Sequence, residues 1–262
     1  MGGSVVGALA DLLLPRTCAG CALPGAVLCR SCAELLTRPR LAAPRRFPEG
    51  FPPTVAAGAY AGPVRPAVLA FKERGRAELA RPLGAALALA VAAVTSAVPG
   101  RGPVVLVPVP SSRAALRARG RDHVRELAAR AVSELRAAGL PAAESRLLRR
   151  RGRVLDSAGL SAAQRRANLA GTFEPALPAP PGALLVLVDD VVSSGATLTE
   201  AAAVLGAGTR PADLPVLAAV VAATPRTRSR TTSASDLHVV RKRPQIVLLS
   251  PPGRLSGRVR RD

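Results

Sequence analysis

Residues 183–188, Ala-Leu-Leu-Val-Leu-Val, form an unbroken apolar run of the length expected for a strand buried on both faces. Directly after it stand two carboxylates, Asp189 and Asp190, and then Val191 and Val192. A run of small residues follows, Ser193, Ser194, Gly195, Ala196 and Thr197, and a helix is expected from Leu198 to Leu205, closed by Gly206 and Gly208. Two more buried strands are predicted, over 104–109 (VVLVPV, ended by Pro108 and Pro110) and over 215–223 (PVLAAVVAA). Residues 54–60 alternate only weakly and read as an edge or hood strand. Between these runs the spacing turns helical: over 61–84 with a break at Gly75, onward through an Ala-rich stretch to 98, and over 122–138. In the last of these Val124, Leu127, Ala128, Ala131 and Leu135 share one face. Residues 144–175 read as a short strand, a basic loop and a helix over 161–168. The reading is one α/β domain of ordinary size with small appendages.

The stretch from Ala183 to Glu200 carries the most legible chemistry. A buried parallel strand ends at an open crevice, which is where α/β folds bind ligands. Two consecutive carboxylates there cost desolvation and repel one another unless a partner relieves them. Ribose hydroxyls or a divalent cation would serve. The small-residue loop lets backbone N–H groups converge through its glycine and opens a helix whose N-terminus favours an anion. Carboxylates for a sugar and a loop for its phosphate, a few residues apart, describe a phosphorylated ribose. The alternative is an ordinary strand with an Asp at a helix entry and a polar turn. A Walker loop, GxxxxGK[ST], is absent.

Composition adjusts this picture. The 262-residue chain is 48 % hydrophobic but only 2 % aromatic, so its core must be built from small aliphatic side chains. The net charge of +20 comes almost wholly from arginine, Lys72 and Lys242 being the only lysines. Such a balance suits polyanionic partners, nucleic acid or a phosphate-rich small molecule, although composition bias alone produces the same excess. No membrane span is apparent. The start, SVVGALADLLL, is short and interrupted by Asp11, and it reads as an amphipathic helix rather than a signal peptide. A cytoplasmic location is the resulting expectation.

Four cysteines, Cys18, Cys21, Cys29 and Cys32, form two CxxC pairs separated by seven residues. Two such knuckles can place four thiolates around one tetrahedral ion, with zinc–sulfur bonds of about 2.3 Å. No cysteine is left over and no βαβ pattern surrounds either pair, so structural Zn²⁺ is favoured over redox chemistry. The domain organisation read from these features is a helix and four-cysteine module over 1–36, a Pro/Arg-rich linker over 37–53, the main domain over 54–225, and a basic, disordered tail over 226–262.

VLVDDVVSSGATL resembles the phosphoribosyl pyrophosphate (PRPP) signature of type I phosphoribosyltransferases. Other runs are similar to the ComF family of competence-associated, phosphoribosyltransferase-like proteins, over roughly residues 12–223. These are the zinc module, the FKERGR run with Arg65, Lys72, Arg74 and Arg76, the PVPSSR loop, and GLSAAQRRANLAGTF with Arg165, Asn168, Gly171 and Phe173. The family's RGFNQ run is represented by Arg119 and Gly120, with Arg121, Asp122 and His123 substituted; His123, opening a helix, reads as a cap or a solvent-facing residue. Where the family has a Gln near the GLS element this chain has Ser157.

The resemblance implies a type I phosphoribosyltransferase-like parallel sheet flanked by helices. It implies PRPP bound with Mg²⁺, Asp189 and Asp190 on the ribose hydroxyls, and Ser193, Ser194, Gly195, Ala196 and Thr197 on the 5′-phosphate. It further implies Ser111, Ser112 and Arg113 on the pyrophosphate, with Lys72 among the PRPP-binding residues. Arg149, Arg150, Arg151 and Arg153 would surround a loop that closes over the reaction centre. Catalysis would rest on Asp189, Asp190 and Arg113, with the acceptor unread. The other reading is a non-catalytic protein that handles nucleotides or single-stranded DNA during uptake, alongside competence-machinery or homo-oligomer partners. The near-absence of aromatic stacking platforms counts against base contacts but not against phosphate binding.

Overall fold

The computed structural model describes residues 16–43, 48–98, 102–151, 171–208 and 215–225. These fall in one compact unit, Met1–Arg226. The expected N-terminal helix, Arg153 and Ser157, the helix over 161–168 with Arg165 and Asn168, and the tail over 226–262 lie outside the described residues.

The architecture is a mostly parallel, six-stranded sheet flanked by helices. In chain order its strands are β1 (Arg40–Leu41), β2 (Thr54–Ala59), β3 (Val104–Pro108), β4 (Ala142–Glu144), β7 (Leu184–Val192) and β8 (Leu217–Ala223). They lie side by side as β1-β2-β8-β7-β3-β4, parallel throughout except at the β1–β2 edge. A separate antiparallel pair is formed by β5 (Leu148–Arg150) and β6 (Phe173–Pro175). The apolar runs of β3, β7 and β8 become the inner strands because helices or hairpin cover both faces, which leaves no side chain facing water.

Alternation along β7 divides the core in two. Leu184, Val186 and Val188 pack with helices α2 (Val64–Glu73), α3 (Ala80–Thr95) and α5 (His123–Ala137). Leu185 and Leu187 pack with helix α6 (Ala196–Ala207) and with Leu147, Leu148 and Phe173 of the small hairpin. The segment Ala77–Thr95, comprising a 3₁₀ turn and α3, is long and apolar enough to cross a membrane, but 56 % of that window is buried inside the protein. It packs beside α5 and against β2 and β8 as a core helix.

Two expectations change. Residues 54–60 do not form an edge or hood strand: β2 is hydrogen-bonded on both sides, by β1 and β8, and its residues from Thr54 to Gly58 are buried. The edge comes instead from the expected linker, whose Arg40 and Leu41 add β1 and whose Ala42 N–H donates to Thr54 O at 2.8 Å. The cysteine-bearing segment, which includes the short helix α1 (Arg30–Glu34), sits directly on this sheet. Leu36 is buried in the first core, and a Cβ added at Gly58 would lie 2.6 Å from Leu35 O, so only glycine permits the approach.

Candidate functional site

Strand β7 runs on through the acidic pair, so Asp189 and Asp190 lie inside it rather than after it. Consecutive strand residues face opposite sides of a sheet, and the two carboxylates therefore meet different neighbours. Asp190 is only 2 % exposed. Its Oδ2 lies 2.8 Å from Lys72 Nζ at the end of α2 and 3.3 Å from His123 Nε2 at the start of α5. Its Oδ1 accepts from its neighbour's backbone, Val191 N–H, at 2.8 Å. Burial alone would raise the Asp190 carboxyl, but the imidazole and the ammonium reverse this and hold it well below the usual carboxylate range. Burial also works against the charge on Lys72, yet Asp190 and Asp189 together raise its pKa above the ordinary lysine value.

Asp189 is partly exposed and is pushed well above the usual range, first by burial and then by the charge of Asp190. The twin carboxylates are thus chemically unlike. One is a buried anchor held by Lys72 and His123, whereas the other is partly exposed and faces the second side of the sheet.

His123 corrects the sequence reading. It is neither a cap nor solvent-facing; Asp122 caps α5, its Oδ1 accepting from Arg125 N–H at 3.3 Å, while His123 is buried against Phe71 with ring centroids 6.2 Å apart. Asp190 Oδ2 and both ring nitrogens of His123 are buried without a well-angled hydrogen bond. The signal was present in the spacing, because His123, Leu127, Ala131 and Leu135 recur at four-residue intervals on the buried side of α5.

The neighbouring arginines brace this arrangement. Arg119 forks onto Glu73 at 3.0 and 2.8 Å. Arg121 pairs with Glu126, donates to Phe71 O at 2.8 Å and stacks 4.3 Å above the Phe71 ring. Both tie the end of α2 to the turn before α5, which is how Lys72 and His123 converge. Of the FKERGR run only Lys72 reaches the acidic strand: Arg65 and Arg74 are exposed, and Arg76 bonds Glu78 and Thr17 O.

Strands β3 and β7 end side by side, with Pro108 paired to Val188 and Val109 N–H donating to Val188 O at 3.0 Å. After β3 come Ser111 and Ser112, and helix α4 (Arg113–Arg119) begins with Ser112 Oγ accepting from Ala115 N–H at 3.1 Å. Arg113 is exposed in the first turn. After β7 come the exposed Ser193 and Ser194, then buried Gly195 at φ 80°, a left-handed conformation that glycine adopts without penalty. Helix α6 opens at Ala196, two positions before the expected Leu198, with Ser194 Oγ accepting from Ala196 N–H at 3.4 Å.

The chain leaves β3 for α5 on one face and leaves β7 for α6 on the other. The two strands therefore border a topological switch point, where open α/β sheets form their binding crevice, and the loops over 111–113 and 193–197 follow them. The residues singled out from sequence follow β3 or lie in and just after β7, and Lys72 is engaged by Asp190. From the β5 side, Arg150 reaches the same place, its Nη1 donating to Pro110 O at 3.4 Å. Its flanking residues Arg149 and Arg151 are instead exposed and pair with Glu174.

The four cysteines converge: all their Sγ atoms lie within 4.8 Å of one another, and Cys21 and Cys29 are 3.6 Å apart. A tetrahedron with zinc–sulfur bonds of about 2.3 Å has edges of about 3.8 Å, so the set fits one metal ion and is too open for disulfides. Burial opposes ionisation of Cys18, but backbone N–H groups of Cys29, Cys21 and Gly20 outweigh it and bring the thiol down to about 6. Two of these donors reach Cys18 Sγ at 3.3 and 3.4 Å, as a thiolate ligand requires. Cys32 is raised by burial and by the adjoining sulfurs. Four thiolates close a tetrahedral ion completely, which suits a structural role. The chain matches no family model and no curated protein.

Proposed function

We propose that the β3–β7 crevice binds PRPP and that the protein is a ComF-type, phosphoribosyltransferase-like enzyme with a structural zinc module. The observation that carries this reading is the meeting of three elements at one switch point: the acidic end of β7, the glycine-bearing loop that opens α6, and the Ser111–Ser112 turn that opens α4. The α6 loop suits the 5′-phosphate, because the first N–H groups of a 12-residue helix have no intrahelical acceptors. Asp189 is the carboxylate free to accept ribose hydroxyls, since Asp190 is held by Lys72 and His123.

Mg²⁺ would arrive with the diphosphate and take Asp189 as its protein oxygen, a donor set that magnesium commonly accepts beside substrate oxygens. It would neutralise charge on the departing group. Loss of pyrophosphate would leave positive charge on the sugar ring, which the negative charge at the acidic end of β7 would favour. Ser111, Ser112 and Arg113 would hold the leaving oxygens, and no protein nucleophile is needed.

The test is calorimetric titration with PRPP and Mg²⁺ together with a pyrophosphate-release assay across candidate bases and amines. Binding that is lost in Asp189→Asn at unchanged melting temperature supports the reading. Absence of PRPP binding, with DNA affinity that falls steeply with salt and ignores this substitution, would replace it by the DNA-handling alternative.

A further inference from the structure

Most of the well-placed arginines near the crevice have a carboxylate partner. Arg119 has Glu73, Arg121 has Glu126, Arg125 has Glu144, and Arg149 and Arg151 share Glu174. Arg150 is different. It is half-buried, yet no carboxylate among the described residues lies within ion-pair distance. Its guanidinium carbon stands 5.6 Å from the Phe173 ring centroid, its Nη1 makes one long bond to Pro110 O, and its buried Nε has no partner. Burial lowers its basicity, and Asp189 opposes that only in part.

A planar cation that has no carboxylate partner and a buried, unpaired Nε among the described residues, held against an aromatic ring and pointing at the residue just before Ser111, is arranged to receive an oxyanion. We propose that Arg150 is the guanidinium that grips the diphosphate group at the Pro110–Ser112 end of the crevice, from the side of the sheet opposite Lys72. The inference rests on the reading of the crevice given above and adds a binding residue to it. Arg113, to which the sequence assigned that task, is exposed at the start of α4 and has no such fixed seat. The neighbours also explain why Arg150 and not Arg149 points inward: in β5 the two alternate, and Arg149 is drawn outward onto Glu174.

The experiment is titration of the full chain with inorganic pyrophosphate, and separately with PRPP and Mg²⁺, for wild type, Arg150→Met, Arg150→Lys and Arg149→Gln. Methionine keeps a stem over Phe173 but removes every donor, so pyrophosphate affinity should fall about tenfold to a hundredfold, the loss expected for charge-assisted hydrogen bonds. Its melting temperature should not fall, since an uncompensated buried cation has been removed. Lysine, which retains charge without the fork, should lose affinity by an intermediate factor, and Arg149→Gln should bind as wild type does.

Pyrophosphate affinity of Arg150→Met within about threefold of wild type, below the range expected for such bonds, would overturn the inference. So would a wild-type protein that does not bind pyrophosphate. If Arg150→Met fails to fold, the lysine variant decides by the same criterion. A chain that binds pyrophosphate through Arg150 but does not bind PRPP would uphold this inference and refute the sugar-phosphate reading. One that binds PRPP with full affinity in both Arg150 variants would do the reverse.

Discussion

Replacing Lys72 by methionine isolates the contact on which the acidic strand end depends. The ammonium and carboxylate are 2.8 Å apart, and their side chains are 30 % and 3 % exposed respectively. At an effective dielectric of about 20 the gross attraction is about 6 kcal/mol, much of it offset by the desolvation of both groups. Removing one member of a buried pair costs about 3–5 kcal/mol, because the other charge is left stranded. Lys72 retains some contact with water, which places Lys72→Met near the lower bound, at about 3 kcal/mol. In urea unfolding at neutral pH, this corresponds to a midpoint lowered by roughly 1–1.5 M for a slope of about 2–3 kcal/mol/M.

The pH dependence gives the sharper test. In wild type the folded Asp190 carboxyl is depressed, so its stabilisation is present above the unfolded value of about 3.9 and is lost as pH falls through the folded value. Without the ammonium only His123 still lowers the carboxyl, so burial is less fully offset and its pKa rises from the depressed wild-type position. Protonation therefore relieves the variant before it affects wild type. The deficit of Lys72→Met relative to wild type should narrow as pH is lowered through the acid range in which the variant's carboxyl takes up its proton first. Comparing the two proteins at each pH cancels the common contribution of the cysteine thiols. A deficit below about 1 kcal/mol at neutral pH, well under the range for broken buried pairs, or one that does not change with pH, would refute the assignment of Lys72 as the counter-ion.

The purified chain is expected to carry one zinc ion per molecule, measured by elemental analysis. Chelation or Cys18→Ser should lower the melting temperature by more than about 5 °C, because binding energy at such sites is folding energy; a metal-free chain that melts unchanged would refute this. Gly58→Ala places a methyl 2.6 Å from Leu35 O and 2.8 Å from Leu36 Cδ2, and should cost about 1–3 kcal/mol in urea unfolding by forcing the cysteine segment off β2. Gly195→Ala forces a side chain into φ 80° and should cost about 1–2 kcal/mol while weakening PRPP binding in titration. Wild-type affinity in that variant would show that the α6 loop does not cradle the phosphate.

How much could be read from sequence follows from which interactions are local. Strands β3, β7 and β8 were legible because contiguous aliphatic residues have no other low-energy placement, and α5 because its apolar positions recur at helical spacing. The cysteine site was legible because its geometry is set within a few residues. β1 was not: Arg40 and Leu41 pair only because β2 presents an open edge, and nothing in a Pro/Arg-rich stretch announces that. The β5–β6 pair was not legible for the same reason, since three-residue strands are defined by each other rather than by pattern.

The acidic pair shows the limit most clearly. In sequence Asp189 and Asp190 look interchangeable, and ending the strand at Val188 is the natural choice, because a charge inside a buried strand is costly. The strand continues because two residues distant in the chain, Lys72 and His123, meet Asp190 on the first face and remove most of that cost. Once the strand is extended through the pair, alternation alone sends the carboxylates to opposite sides. One becomes an internal counter-ion that fixes α2 and α5 against the sheet, and the other faces the opposite side, its charge felt by both Lys72 and Arg150. The different surroundings of these adjacent, identical residues are thus a property of the tertiary structure, set by Lys72 and His123 on one face of the sheet and by strand alternation on the other.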